Sequence, residues 1–302
     1  MQARTMFINH DNEWRTGWRI LVVIAMLTAV MIGVNAGWRY LGLPGQREGG
    51  PWWFLLLAVL ICAGVLGVIV LLLRLFEKQG SDAIGLPFRA QALRQTVIGT
   101  ALGAIPIVLL VSLAIVGGYG SVAIGNLSLA TIVPILLPMV LAGFLLAAWE
   151  ELFLRGYLLR QLSIGINPVA AAVITGILFG LMHAGNPGAN WQGLLYTAFG
   201  GTLMGWLMVR SGSLWLLIGY HFGWNAAAYN LFGLELSGFG SDVSLLVVTL
   251  GGSEWFTGGS YGFEASLPAV IFEVLVLWTF TSRRYGLRSV PPGSPSEAGS
   301  SR

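Results

Sequence analysis

Six residues able to do chemistry, and one phenylalanine, lie in three short patterns inside apolar stretches of this sequence. The patterns are, in chain order, Glu150-Glu151-Leu-Phe-Leu-Arg155, Phe179-Gly-Leu-Met-His183 and His221-Phe-Gly-Trp-Asn225. A carboxylate inside a bilayer costs at least about 2.5 kcal/mol even on insertion scales, so ionisable residues there indicate a functional site. Carboxylate, imidazole and carboxamide groups together favour hydrolysis, because they activate water and stabilise an oxyanion.

The two adjacent glutamates are predicted to have different roles. Successive residues of a helix are about 100° apart, so Glu151 and Arg155 share a face while Glu150 points elsewhere. We therefore predict a structural ion pair between Glu151 and Arg155, which lowers the cost of burying both charges. Glu150 has no partner at that spacing, which is typical of a general base or a metal ligand.

The histidines extend the candidate site, and two routes to hydrolysis are open. His183 follows Phe179 at helical spacing, so the two side chains project from one helix face. Asn225 follows His221 in the same way. On the first route, Glu150, His183 and His221 hold zinc or another divalent metal, with water in the open position. On the second, Glu150 and His183 activate water directly. His221 and Asn225 then donate hydrogen bonds to the oxyanion.

The composition predicts that a membrane bundle carries these residues. Hydrophobic residues fill 56% of the 302 positions, charged residues fill 10%, and the mean hydropathy is +0.77. These values exclude an ordinary soluble domain. We predict an all-α polytopic transmembrane helix bundle of about eight spans. The predicted spans lie near residues 19–38, 53–73, 96–116, 139–161, 167–185, 192–209, 213–232 and 266–281.

Charge and cysteine content narrow the function classes further. The net charge of +3 comes from basic residues at the edges of apolar stretches rather than from one patch, so nucleic acid is not an expected partner. By the positive-inside rule, the same distribution places both termini in the cytoplasm. The single cysteine, Cys62, lies in an apolar run, so no intrachain disulfide and no cysteine-based metal site are expected.

Glycine and proline spacing adds two structural predictions. Pro134 and Pro138 interrupt the apolar segment 127–137, which we expect to be an interfacial or broken helix ahead of the fourth span. Small residues four apart allow helices to approach closely. Glycine pairs with this spacing are Gly99/Gly103, Gly176/Gly180 and Gly201/Gly205.

The three patterns, in this order and on separate apolar stretches, resemble those of the CPBP intramembrane proteases. That family includes type II CAAX prenyl endopeptidases and bacteriocin-processing enzymes, and its pattern is Glu-Glu-xxx-Arg, then Phe-xxx-His, then His-xxx-Asn. The resemblance covers about residues 90–282, with the motifs inside residues 139–232. It implies an intramembrane endopeptidase in which Glu150 and His183 activate water. It likewise implies that His221 and Asn225 stabilise the oxyanion.

With this resemblance the chain divides into three predicted segments. Residues 1–90 form an N-terminal transmembrane pair with a cytoplasmic loop, and residues 91–282 form the catalytic helix bundle. Residues 283–302, rich in Pro, Gly and Ser, are expected to be a disordered cytoplasmic tail.

The resemblance also implies partners and a location. The expected substrate is a membrane-associated protein or peptide, and CAAX-type processing of a prenylated C-terminus is one form of that activity. The lipid bilayer is the other partner, and we expect a multi-pass protein of the plasma membrane. One tension follows from the predicted spans: His183 lies near the outer end of its span, roughly 10 Å in depth from Glu150 at 1.5 Å per residue. Helix tilt or a shifted boundary must close that gap.

Other interpretations of the same residues stay open. A non-catalytic membrane scaffold or a bacteriocin-immunity-type factor would keep the fold, although no motif residue is missing. A transporter would also place Glu, Arg and His in the membrane, but it usually shows internal repeats, which are not evident here. An enzyme of prenyl transfer would carry an Asp-rich motif, whereas Asp11, Asp82 and Asp242 are scattered.

Three features outside the patterns receive structural roles. We assign Phe179 to packing, and we interpret Glu273, alone in the last span, as a satisfied buried acid. The site is expected to be a water-accessible chamber within the bundle, because hydrolysis needs water and the charges need solvation. The loop 251–266, which contains Trp255 and Glu264, resembles a stretch of bacterial members of the family, and this resemblance implies that it caps the chamber.

Overall fold

The structure is a computed structural model that describes residues 14–44, 49–125, 128, 130, 132–241 and 243–282. Within these residues the chain is an all-α membrane helix bundle, which confirms the predicted fold class. The predicted disordered tail 283–302 lies outside the described residues, as do Asp11 and Asp242. The division into three segments stays a prediction.

The helices follow the apolar stretches of the sequence. In chain order they are α1 Thr16–Tyr40, α2 Gly50–Leu72, α3 Gln91–Val116, α4 Leu137–Glu151, α5 Leu159–Gly165, α6 Pro168–Met182, α7 Trp191–Ser211, α8 Leu214–Asn225, α9 Glu254–Thr257 and α10 Leu267–Ser282. Wider π-helical turns extend several of them, at Leu73–Glu77, Ile132–Leu136, Leu152–Leu158 and Ala226–Leu231. Short 3-10 turns occur at Ser81–Ile84, Gly259–Tyr261 and Phe263–Ala265.

Every predicted span is helical in the structure, but the helices differ in length. Four of the described helical segments are long and apolar enough to cross a bilayer, by length and composition: Thr16–Tyr40, Gly50–Glu77, Gln91–Val116 and Ile132–Gly165. Two shorter apolar helices are Pro168–Met182 and Leu267–Ser282. The prediction of eight spans is therefore met by eight helical stretches, of which only some have full bilayer length.

The segment before the fourth span differs from its prediction. Residues Ile132–Leu136 form a π-helical turn that runs directly into α4, so this part is neither a separate interfacial helix nor a broken one. Pro134 lies in this π-helical turn and Pro138 in the first turn of α4, and each removes one backbone N–H from the helical ladder. The prolines therefore lie where the helix changes its form, without breaking it.

A two-stranded antiparallel sheet, which the sequence did not predict, joins two loops at one end of the bundle. Strand β1, Gly120–Ile124, pairs with β2, Leu246–Leu250, with Val122 opposite Val248. Val248 belongs to an apolar cluster that also contains Ile107 of α3 and Phe263. The sheet thus fastens the segment before α9 to the end of α3.

Helices α3 and α8 make the closest crossing in the bundle. A methyl group added at Gly99 or Gly103 would lie 2.1 Å from the carbonyl oxygen of Leu216 or 1.9 Å from that of Tyr220. From the other side, a methyl group at Gly219 would lie 2.2 Å from the Thr96 carbonyl oxygen. The two backbones are therefore in direct contact, as the spacing of Gly99 and Gly103 predicts.

Helices α6 and α7 approach each other in a similar way. A methyl group at Gly180 would lie 2.8 Å from the carbonyl oxygen of Leu194, and one at Gly205 would lie 3.0 Å from the Cα atom of Ala172. This crossing fixes the end of α6, which is followed directly by His183.

A buried polar cluster ties the N-terminal helices to the segment that carries the first motif. Glu77, at the end of the turn after α2, accepts hydrogen bonds from Arg160 and from Gln161 of α5, the latter at 2.6 Å. Arg19 of α1 lies 3.9 Å from the same carboxylate. These contacts hold α1, α2 and α5 together at one end of the fourth span.

Candidate active site

The first motif lies where α4 changes its helical form. Glu150 and Glu151 are the last two residues of α4, and Arg155 lies in the π-helical stretch Leu152–Leu158. Single π-helical turns inside longer helices occur frequently at functional sites. Helix α4 packs against α2 and α8, so this change of helical form faces the centre of the bundle.

Glu151 and Arg155 form a fully buried ion pair. NH1 of Arg155 donates to Oε1 of Glu151 at 2.7 Å, and both side chains are 0% exposed. NH2 of Arg155 donates to the carbonyl oxygen of Gly201 on α7 at 3.0 Å. The guanidinium also lies over the ring of Phe179, 4.6 Å from its centroid. The pair therefore links α4, α6 and α7, and it satisfies part of the hydrogen-bonding capacity of two charges removed from water.

His221 of α8 contacts the same carboxylate oxygen. Its Nδ1 lies 3.0 Å from Oε1 of Glu151. Because Glu151 is already paired with Arg155, its ionised carboxylate is an acceptor, and Nδ1 of His221 carries the donated hydrogen. The other ring nitrogen, Nε2, then presents a lone pair in the neutral ring or an N–H in the cationic ring. Glu151 thus sets which nitrogen of His221 faces Glu150.

Glu150 lies on the far side of the His221 ring. Its Oε2 is 3.9 Å from Nε2 of His221, too long for a direct hydrogen bond. The same oxygen is buried and has no hydrogen-bond partner among the described residues. A buried carboxylate oxygen without a partner is costly, and a water molecule that hydrogen-bonds to both groups from beside them would satisfy both. Glu150 and His221 are therefore suited to bind one water molecule together.

His183 joins this group through Phe179. Nδ1 of His183 lies 2.8 Å from the backbone carbonyl oxygen of Phe179, which only accepts, so Nδ1 carries the hydrogen and Nε2 presents a lone pair in the neutral ring. The Phe179 ring centroid lies 4.7 Å from that of His183 and 5.7 Å from that of His221. Phe179 therefore does more than pack: it lies between the two imidazoles and under Arg155.

Four of the predicted site residues lie in one group, and the other two, His183 and Asn225, lie next to it. Glu150, Glu151, Arg155 and His221 are in direct or near contact through the distances above. His183 follows the last residue of α6, and the ring of Phe179 lies between its ring and that of His221. Asn225 ends α8, one helical turn beyond His221.

Glu264 is a carboxylate that the motifs did not assign to the site. Glu264 accepts a hydrogen bond from the hydroxyl of Ser237 and interacts electrostatically with His183 and His221. Burial raises the pKa of Glu264, and the Ser237 hydrogen bond and the two histidines lower it. A single Glu in a loop has no helical spacing to other polar residues. The sequence analysis therefore predicted only that the loop containing Glu264 is part of a cap.

Glu273 is held as the sequence predicts for a satisfied buried acid. The hydroxyl of Tyr220 on α8 donates to its Oε1 at 2.9 Å. Gly200 of α7 leaves room for the carboxylate, since a methyl group there would lie 3.1 Å from Oε2. Glu273 therefore joins α10 to α7 and α8.

Glu150, His183 and His221 are the predicted metal ligands, and the arrangement of their donor atoms decides whether they can hold an ion. Both histidines have Nδ1 held by an acceptor, an arrangement that orients metal-binding imidazoles in other proteins. Among the described residues, however, no group of three or more His, Cys, Asp or Glu side chains is arranged to hold an ion. Glu150, His183 and His221, as they lie, do not fit a three-ligand zinc site.

Two comparisons of the sequence with known proteins each gave a match. Residues 130–227 match the family model described as Type II CAAX prenyl endopeptidase Rce1-like, and all residues of the three motifs lie inside the match. Over 134 residues the chain is 31% identical to the uncharacterized protein YyaK of Bacillus subtilis (strain 168). That alignment covers 43% of this chain and 43% of YyaK, so less than half of the relative's length is matched.

Proposed function

We propose that this chain, whose residues 130–227 match the family model of Rce1-like type II CAAX prenyl endopeptidases, is an intramembrane endopeptidase. It hydrolyses a peptide bond in a membrane-associated protein or peptide. The observation that carries this proposal is the buried, unpartnered Oε2 of Glu150 facing Nε2 of His221 across 3.9 Å. A carboxylate that lacks a protein partner and lies beside an imidazole is suited to take a proton from a bound water molecule.

In the first step Glu150 acts as the general base. Its carboxylate takes a proton from the water while the water oxygen attacks the carbonyl carbon of the scissile bond. Nε2 of His183, which presents a lone pair, accepts a hydrogen bond from the same water and orients it. The carbonyl π electrons move to oxygen, and a tetrahedral oxyanion forms.

In the second step the oxyanion is stabilised from α8. A hydrogen on Nε2 of His221 requires the cationic ring, and the carboxylates of Glu150 and Glu151 supply the counter-charges for it. Asn225, one turn along the same helix, donates a second hydrogen bond from its carboxamide. When the intermediate collapses, the C–N bond breaks and the proton held by Glu150 passes to the leaving amine.

The proposed substrate and partners are based on the family description, and the proposed location is based on the sequence. C-terminal processing of a prenylated CAAX protein is the form of the activity that the family description favours. The protein works in the lipid bilayer and takes no nucleic acid. We place it in the plasma membrane with both termini in the cytoplasm, on the distribution of basic residues along the sequence.

Cleavage of a quenched peptide set that includes farnesylated CAAX peptides, by purified protein in detergent, tests this proposal. Glu150→Ala and His183→Ala should each abolish cleavage, while Glu235→Gln, which changes an exposed acid, should not. Folded protein that cleaves no peptide of the set, or cleavage that survives Glu150→Ala, would reject the assignment in favour of a scaffold or immunity role.

A further inference from the structure

The segments around His183 form an acidic cap on one end of the bundle. We use the name "cap" for residues 117–125, 183–190, 233–241 and 243–266. Their sequence contains no Lys or Arg, and its acidic residues are Glu235, Glu254 and Glu264. Glu235 and Glu254 are exposed, whereas Glu264 is half-buried and interacts electrostatically with His183 and His221.

The cap holds Glu264 in a fixed place. Tyr261 is fully buried, its hydroxyl lies 3.1 Å from Oγ1 of Thr197 on α7, and its carbonyl oxygen accepts from the N–H of Gly238 at 2.6 Å. Gly238, at φ +83°, lies so close to the turn after His183 that a methyl group there would lie 1.6 Å from the carbonyl oxygen of Pro187. The loop of Glu264 is therefore packed on both α7 and the His183 turn.

Ser237 supports the same conclusion. It is one of two described non-glycine residues with positive φ, at 49°, a conformation that glycine adopts at lower cost. The position nevertheless carries a serine, whose hydroxyl donates to the carboxylate of Glu264. That hydrogen bond occupies one oxygen of Glu264, and the cap contains no Lys or Arg that could pair with the carboxylate.

We propose that Glu264 is the charge-selecting residue of the active site, and that its carboxylate receives a basic side chain, Lys or Arg, of the peptide substrate. The proposal deepens the proposed function and rests on it, because it names the class of peptide that the same site takes. A half-buried carboxylate attracts a cation more strongly than an exposed one, because charge pairs are stronger where the effective dielectric constant is lower than that of water. It equally disfavours an acidic residue at that position of the substrate.

The probe is a set of fluorescein-labelled apolar dodecapeptides that differ in where a single Lys stands, with a matching set that carries norleucine in its place. Binding is measured in detergent at pH 8, on the full-length Glu150→Ala protein so that no peptide is consumed. At one Lys position we expect the Lys peptide to bind about tenfold more tightly than its norleucine partner, and the preference should shrink as salt screens the charge.

Three variants identify the carboxylate, each made in the Glu150→Ala protein. Glu264→Gln keeps the size and the acceptor for Ser237, and it should reduce the preference to about onefold. Glu264→Asp keeps the charge and should retain a preference. Glu235→Gln removes an exposed acid of the same cap and should leave the preference unchanged. A preference that survives Glu264→Gln, or no preference at any Lys position, would overturn the proposal.

Cleavage assays on the protein with Glu150 intact distinguish the charge-selection proposal from the proposed protease activity. If the protein cleaves both peptide sets equally well, the protease stands and charge selection by Glu264 fails. If binding shows the Glu264-dependent preference but neither set is cleaved, the charge-selecting site stands and the proposed activity fails.

Discussion

Oε1 of Glu151 lies 3.0 Å from Nδ1 of His221, although 70 residues separate the two in the sequence. The same oxygen also accepts from NH1 of Arg155 at 2.7 Å. One atom therefore neutralises a buried guanidinium and fixes the tautomer of an imidazole that faces Glu150. Spacing predicts a structural role for Glu151, and the structure shows that Glu151 also orients His221, the histidine proposed to stabilise the oxyanion.

Replacement of Glu151 by Gln should destabilise the protein strongly. Removing one partner of a buried ion pair leaves Arg155 uncompensated and costs about 3–5 kcal/mol. The free energy of unfolding in detergent measures this. The matched control is Asp82→Asn, which breaks the exposed pair of Arg89 and Asp82, whose side chains are 71% and 59% exposed, and should cost less than about 1 kcal/mol.

The double variant Glu151→Gln/Arg155→Met separates the two roles of Glu151. Because it removes both charges, it should recover most of the lost stability. It should not recover cleavage, since His221 still lacks the carboxylate that orients Nδ1. Full activity of the folded double variant would contradict the orienting role.

Glu150→Gln should lower the turnover number by about 10²- to 10⁴-fold, the range for loss of a general base. The amide keeps the shape of the side chain but takes no proton from water. Steady-state cleavage gives the rate, and a thermal unfolding curve close to that of the unchanged protein shows that the fold is intact. Activity within a fewfold of the unchanged enzyme would remove Glu150 from the base step.

Gly103→Ala should destabilise the bundle by about 3 kcal/mol, the upper end of the range for overpacking. The added methyl group would lie 1.9 Å from the backbone carbonyl oxygen of Tyr220, which has no rotamer to change. Gly67→Ala in α2 is the control, because a methyl group there meets no atom within 4 Å. Equal unfolding free energies for the two variants would argue against the close crossing of α3 and α8.

The stability of the cap should depend on pH through Glu264. Burial raises the pKa of this group above its unfolded value, so the folded state binds this proton more tightly than the unfolded state does. Protonation of Glu264 therefore stabilises the fold. That contribution is fully present below the unfolded pKa of about 4.3 and is lost as the pH rises through the folded pKa. We expect the difference in unfolding free energy between the unchanged protein and Glu264→Gln to fall steadily from pH 4 upward. A difference that is flat with pH would show that Glu264 is not buried as described.

Cleavage should resist chelators. The described residues hold no three-ligand group for a metal ion, so the proposed steps run through side chains alone. Incubation with 1,10-phenanthroline, followed by removal of the chelator, should leave the rate within about twofold. Loss of activity that zinc restores would instead favour the first route considered from the sequence, with Glu150, His183 and His221 as ligands.

Much of the fold could be predicted because apolar runs of bilayer length have few alternatives to a helix. The length and order of α1 to α3 follow from composition, and the spacing of Gly99 and Gly103 indicates a close helix crossing. The sheet could not be foreseen, because Gly120–Ile124 is too short to show an alternation and its pairing with Leu246–Leu250 depends on how two distant loops fold.

The site was predictable only as far as one helix determines it. Spacing places Glu151 beside Arg155 and Phe179 beside His183, because these pairs are local. The contact of Glu151 with His221 depends on the rotation of two helices about their axes, which a single sequence does not contain. The approach of Glu264 depends in addition on the close contact of Gly238 with Pro187, which no spacing rule describes.

The direct backbone contact of α3 and α8 affects how any activity screen of this protein is to be interpreted. Gly103, Gly219 and Gly223 carry no reactive atom, yet a side chain at any of them meets a carbonyl oxygen of the other helix within 2.2 Å. Substitutions there would inactivate the protein as completely as a change of Glu150. Essentiality alone therefore cannot distinguish a catalytic group from a packing glycine, and a screen must score folded protein and turnover separately.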